Sequence, residues 1–128
     1  MTTNLKLAVL DGEYEVHRFS SDRKVPVDAL NGNFLSITRT DDELSIVCNA
    51  QLLLNSDKSE AGWACIKVLG TLDFGLTGIL ARIASVLAEA EISIFAISTY
   101  DTDYILVKKE KLPAAQEVLL EAGYVFEN

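Results

Sequence analysis

Two short segments of the 128-residue chain carry groups able to hold a small charged molecule. The first is Leu72-Asp73-Phe74-Gly75-Leu76-Thr77-Gly78-Ile79. Gly75 and Gly78 clear side chains from the place where a helix is expected to begin. The first N–H groups of a helix have no partners within it, and the helix dipole adds partial positive charge there. A carboxylate laid against that end takes hydrogen bonds from the backbone, and Thr77 adds a hydroxyl donor. The same residues also have a structural use: Asp73 as a helix cap, Gly75 as a turn, and Gly78 as a small residue where helix meets sheet.

The second segment is Ser98-Thr99-Tyr100-Asp101-Thr102-Asp103-Tyr104. Aspartate is common in turns because its carboxylate accepts from nearby backbone N–H groups. One aspartate suffices for that. Two, Asp101 and Asp103, leave negative charge to hold an ammonium or guanidinium group. The plain alternative is a polar hairpin tip. A hard cation needs more oxygen ligands than the segment offers, so no metal is expected. Together, a helix N-terminus and an acidic turn suit a zwitterion. The two segments need not adjoin within one subunit, so the expectation is that they meet across an edge-to-edge interface.

Other chemistries lack their residues. The single histidine, His17, lies in a polar stretch and reads as a surface or half-buried strand residue. No nucleophile has an evident base. Gly70, Gly75 and Gly78 have the wrong spacing for a phosphate loop or a dinucleotide fingerprint, so no cofactor is expected. Cys48 and Cys65 form neither a disulfide framework nor a metal pattern and read as buried, reduced thiols. The net charge is -8, from 11 Lys and Arg against 19 Asp and Glu. It divides evenly: residues 1–60 hold 6 basic and 10 acidic side chains, and residues 61–128 hold 5 and 9. No basic arm or stripe exists to meet a phosphate backbone, so neither nucleic acid nor an anionic membrane is an expected partner. No apolar run nears the roughly 18 residues that span a bilayer. Met1 to Lys6 lacks the pattern of a secretory signal. The expectation is a cytoplasmic protein.

The elements that position these segments are legible in the pattern of apolar residues. Strands are expected at Leu5–Leu10, about Tyr14–Phe19, at Phe34–Thr38 and at Leu44–Cys48, the last two as a hairpin. Pro26–Leu30 makes at most one helical turn, and Gln51–Leu54 a stub of helix. Asn55–Gly62 is polar and reads as a linker. Beyond it come a strand at Trp63–Leu69, an amphipathic helix at Leu76–Ala90, a strand at Ile92–Tyr100 and its partner at Tyr104–Val107. A second helix follows, with Pro113 in its first turn, Gly123 at its end, and an apolar face of Leu112, Ala115, Val118, Leu119 and Ala122. Tyr124–Phe126 is a last short strand. Strand, helix, strand, strand, helix, strand is the split βαβ arrangement, an antiparallel sheet with both helices on one face. The fold class is therefore α+β: a ferredoxin-like sandwich over 61–128, preceded by a β-rich, degenerate subdomain over 1–60. A fold of this kind fixes no function by itself.

The run LDFGLTGILARIASVLAEAEISIFAISTYDTDYILV, Leu72 to Val107, resembles the second ACT domain of small tandem-ACT proteins. Relatives of that type include aspartate kinase regulatory regions and cytosolic arginine sensors. NGNFLSITRTDDELSIVC in the first half resembles, more loosely, the N-terminal domain of bacterial members. The resemblance implies non-catalytic, regulatory amino-acid binding at a domain or dimer interface. It implies ligand contacts from Asp73, Phe74, Gly75, Leu76 and Thr77 in the loop, and from Thr99, Tyr100 and Asp103 in the hairpin. Asp103 falls where the arginine sensors place an acidic residue against the cationic part of the ligand. This chain has two such domains where those sensors have four, so an equivalent interface requires a homodimer. A regulated protein partner is a further expectation. The alternative is a ligand-free interaction module acting as a regulatory subunit, and an unrecognised enzyme is a remoter one.

Overall fold

The computed structural model describes residues 5–70 and 78–127. Its strands are β1 (Lys6–Val9), β2 (Tyr14–Phe19), β3 (Leu35–Arg39), β4 (Leu44–Asn49), β5 (Lys58–Val68), β6 (Ile94–Ser98), β7 (Asp103–Lys108) and β8 (Val125–Phe126). Its α-helices are α1 (Ile79–Glu89) and α2 (Leu112–Glu121), and Val27–Leu30 and Lys109–Lys111 are single 3₁₀ turns. The chain forms two compact units. One comprises the residues up to Asp11 and those from Ala64 onward; the other is Gly12–Trp63.

The first unit has the expected order of strand, helix, strand, strand, helix, strand from β5 to β8. Period-two alternation along β5 and β7 turns Ala64, Ile66, Val68, Ile105 and Val107 to one face. Ile83 and Leu87 of α1 and Ala115 and Leu119 of α2 pack on that same face, so both helices cover one side. The fold is α+β and ferredoxin-like, as the apolar periodicity predicts. Ala122, expected on the apolar face of α2, instead caps the helix C-terminus and is exposed.

An extra strand enters this sheet. β8 pairs not with β5 but with β1, in parallel, and β1 pairs antiparallel with β5 through Leu7↔Val68, Ala8↔Lys67 and Val9↔Ile66. The order is β8-β1-β5-β7-β6. Leu7 is fully buried in the helix-facing core, and the Leu10 N–H donates to the Cys65 carbonyl at 2.9 Å. The first strand thus belongs with the second half of the sequence. A division at residue 60 separates it from its ladder partners.

The polar segment Asn55–Gly62, read as a linker, is strand from Lys58 onward. Lys58, Ser59 and Glu60 pair with Arg18, His17 and Val16 of β2. Their side chains are exposed while their backbone joins a ladder, so polarity here marks solvent-facing strand rather than a connection. Gln51–Leu54 is a turn and not a helix. Asn49 holds it, its Oδ1 accepting from the Gln51 N–H at 2.8 Å, because asparagine offers the backbone an alternative to helical bonding.

In the Gly12–Trp63 unit the strand order is β3-β4-β2, with the start of β5 on the far side of β2. Phe19, Leu44, Ile46, Cys48 and Ala29 form its core. Ala29 comes from the 3₁₀ turn at Val27–Leu30, which stands where a full ferredoxin-like copy has a helix. Among the described residues this unit has no α-helix.

Candidate functional site

The β6–β7 hairpin presents the second sequence segment. Ile94↔Val107 through Ser98↔Asp103 fix its register, leaving Thr99–Thr102 as the tip. The Thr99 N–H donates to the Thr102 carbonyl at 2.8 Å and closes the turn. The Thr99 hydroxyl donates to the same carbonyl at 3.0 Å and accepts from the Thr102 N–H at 3.3 Å. Thr99 is thereby used in building the turn. Ser98 Oγ donates to Asp103 Oδ1 at 2.6 Å, which sets the direction of that carboxylate. Tyr100 is 80% exposed at the apex.

Thr102 was not singled out by the sequence, yet it anchors the hairpin tip. It is 3% exposed, and its hydroxyl donates to the Val68 carbonyl at 2.6 Å. Val68 is the last residue of β5, from which the chain runs on to Leu72–Gly78. The hairpin tip is therefore tied, within one unit, to the strand end that leads to the other candidate segment. The signal available in the sequence was a threonine between two aspartates in a turn, which does not distinguish a buried anchor from an exposed hydroxyl.

Asp73, Phe74, Gly75, Leu76 and Thr77 lie outside the described residues. The described end of their segment is Gly78, which sits at the N-cap of α1 with φ +79° and makes no side-chain cap. Among the described residues a Cβ there would meet only the Arg82 side chain, at 3.7 Å. Gly78 is thus required by its left-handed backbone and not by close approach of helix to sheet.

The titratable groups expected to be inert are placed as follows. Cys48 and Cys65 are free and buried, and burial pushes their thiols up to about 11 and about 12. Neither is a thiolate near neutrality. His17 is more enclosed than a surface strand residue, at 3% exposure. Its Nδ1 is hydrogen-bonded to Ser56 Oγ at 2.8 Å, and its Nε2 lies 3.2 Å from Glu15 Oε1 without hydrogen-bond alignment. Burial lowers its pKa, opposed by Glu15. No group of three or more His, Cys, Asp or Glu suited to a metal ion occurs among the described residues.

The sequence profile of the ACT domain matches residues 58–121, the stretch that forms β5 to α2. The chain belongs to the ACT-domain family. A second profile, for an N-terminal domain, matches residues 12–53 and so falls wholly within the Gly12–Trp63 unit. Along its length this ACT protein is similar to protein Atu0741 from Agobacterium tumefaciens, with 38% identity, a TM-score of 0.91, and coverage of 98% of this chain and 93% of that one. It is 35% identical over 95 residues to the human cytosolic arginine sensor for mTORC1 subunit 1. That match covers 67% of this chain but 29% of the sensor, so the ACT protein spans under a third of that curated relative. The ligand-free regulatory subunit of aspartate kinase from Thermus thermophilus shares the fold, with a TM-score of 0.65 at 11% identity, covering 95% of this chain and 99% of that one.

Proposed function

We propose that this chain is a non-catalytic regulatory module that binds an amino acid at the β6–β7 tip and the loop before α1. The anchoring of the tip to the end of β5 through Thr102 carries the proposal. It holds Thr99, Tyr100 and Asp103 in fixed relation to the strand that continues to Asp73–Thr77. Similarity to an arginine sensor supports a ligand with a cationic end, for which Asp103 supplies the carboxylate. The loop supplies backbone N–H groups to the ligand's carboxylate. Arginine is the first candidate. The protein works in the cytoplasm as a homodimer, and ligand binding favours one state of the dimer or of a protein partner's surface, since only differential affinity transmits a signal.

Calorimetry and thermal shift with the twenty amino acids test this. A ligand at 100 times its dissociation constant stabilises the fold by about 2.7 kcal/mol. Asp103→Ala is expected to weaken a cationic amino acid by about 1.5 to 3 kcal/mol. Silence across all twenty at millimolar concentration would remove the proposal. A second reading, an interaction module without a small ligand, is favoured by Val27, Leu30 and Leu53, which are 76%, 60% and 92% exposed in the Gly12–Trp63 unit. Copurification of a partner through that surface, without an amino-acid response, decides for it.

A further inference from the structure

Between α1 and α2, on their solvent side, two adjoining hollows of about 370 and 340 Å³ share Val86 and Ala122 as walls. The two ends of the resulting groove are opposite in charge. Arg82 lines one hollow, and Glu89 and Glu121 line the other. The ion pairs of Lys6 with Glu127, His17 with Glu15 and Arg23 with Asp57 use none of the groove charges. Ser85 in the Arg82 hollow and Ala122 in both are small residues, which lets a helix come close to the backbone there.

The charge pattern on α1 has a symmetry. Arg82 and Glu89 stand seven positions apart, so they project within about 20° of each other and lie roughly 10 Å apart along the axis. Their midpoint falls between Ser85 and Val86. A helix of the same sequence laid antiparallel across that midpoint sets Arg82 against Glu89 of the partner subunit and repeats the pair on the other side. This is the self-complementary relation that a twofold interface requires. Glu121 lines the same hollow as Glu89 and gives the incoming guanidinium a second carboxylate. An unrelated helix would have to reproduce the same charge spacing.

We infer that a second copy of this chain seats its α1 antiparallel in the α1–α2 groove, closing a twofold dimer through two reciprocal Arg82–Glu89 pairs. The inference gives the proposed homodimer a surface and does not depend on amino-acid binding.

Sedimentation of the full chain across micromolar concentrations tests it. Wild type is expected to be dimeric. Arg82→Glu and Glu89→Arg each place like charges in both pairs and should weaken the dimer on the order of 100-fold. An equimolar mixture of the two variants should dimerise again, because each then supplies what the other lacks. Ser85→Trp, an exposed change at the crossing point, should also give monomers and serves if a charge variant does not fold. A monomeric wild type overturns both this surface and the homodimer reading. A wild-type dimer that persists in Ser85→Trp and in both charge variants overturns the surface alone. Monomeric variants whose mixture stays monomeric overturn the reciprocal pairing.

Discussion

At the hairpin tip the Thr102 hydroxyl has a role that neither flanking aspartate can fill. Buried and donating to the Val68 carbonyl at 2.6 Å, it converts an exposed turn into a fixed one. Thr102→Val keeps the shape, removes the donor and leaves a buried carbonyl without it. The expected cost is about 1 to 3 kcal/mol in chemical denaturation. Amino-acid affinity should fall too, although Thr102 is not proposed to touch the ligand; an unchanged affinity would uncouple the tip from the site. His17 makes a different kind of prediction. Enclosure holds its folded pKa below the ordinary 6.5, against the opposing pull of Glu15. The unfolded chain therefore takes up the proton first. Stability is fully present above about pH 6.5 and is lost as pH falls toward the depressed folded value. His17→Gln should flatten the fall of the urea midpoint as pH drops below about 6.5, and an undiminished slope in that variant would assign it to other groups.

At the scale of elements, the start of α1 rests on Gly78. Its φ of +79° lies in the left-handed region, where a side chain is disfavoured. Among the described residues its added Cβ would have room, 3.7 Å from the Arg82 guanidinium. Gly78→Ala should therefore cost about 1 kcal/mol through backbone strain alone; a neutral result in thermal melts would show that the chain relaxes out of that conformation. The glycine was legible in the sequence as a helix-start residue, but the reason for it was not, since φ cannot be read from composition. The helices and the hairpin were legible because apolar spacing in Ile79–Leu87 and Ile94–Val107 maps directly onto buried faces. The polar half of β5 was not. Lys58–Glu60 obey no alternation because their side chains face water, and only their backbone pairing with β2 makes them strand. Thr102 was hidden for the converse reason: its importance lies in a bond to Val68, 34 residues away. The family resemblance named the hairpin positions, and Asp103 is where the turn geometry can orient a carboxylate, through Ser98.

For the whole molecule, the decisive contact is β1 between β5 and β8. A chain divided at residue 60 would place Leu7 in the core of the first half. The structure places it, fully buried, with Ile83, Leu87, Ile105 and Leu119. Leu7→Ala should then cost about 2 to 5 kcal/mol, the range for a buried leucine whose cavity collapses only in part. The location of the loss is more informative than its size. Native-state hydrogen exchange should accelerate at Ile66, Ile83 and Ile105 before it does at Ile46 and Cys48, which lie in the other core. Acceleration confined to Ile46 and Cys48 would return β1 to the first half. Because β1 also carries the parallel pairing to β8 at Lys6↔Val125 and Leu7↔Phe126, the same substitution should loosen the C-terminal strand. The 2.8 Å bond from the Glu127 N–H to the Leu7 carbonyl would be among the first protections lost, so the two ends of the chain are expected to open together.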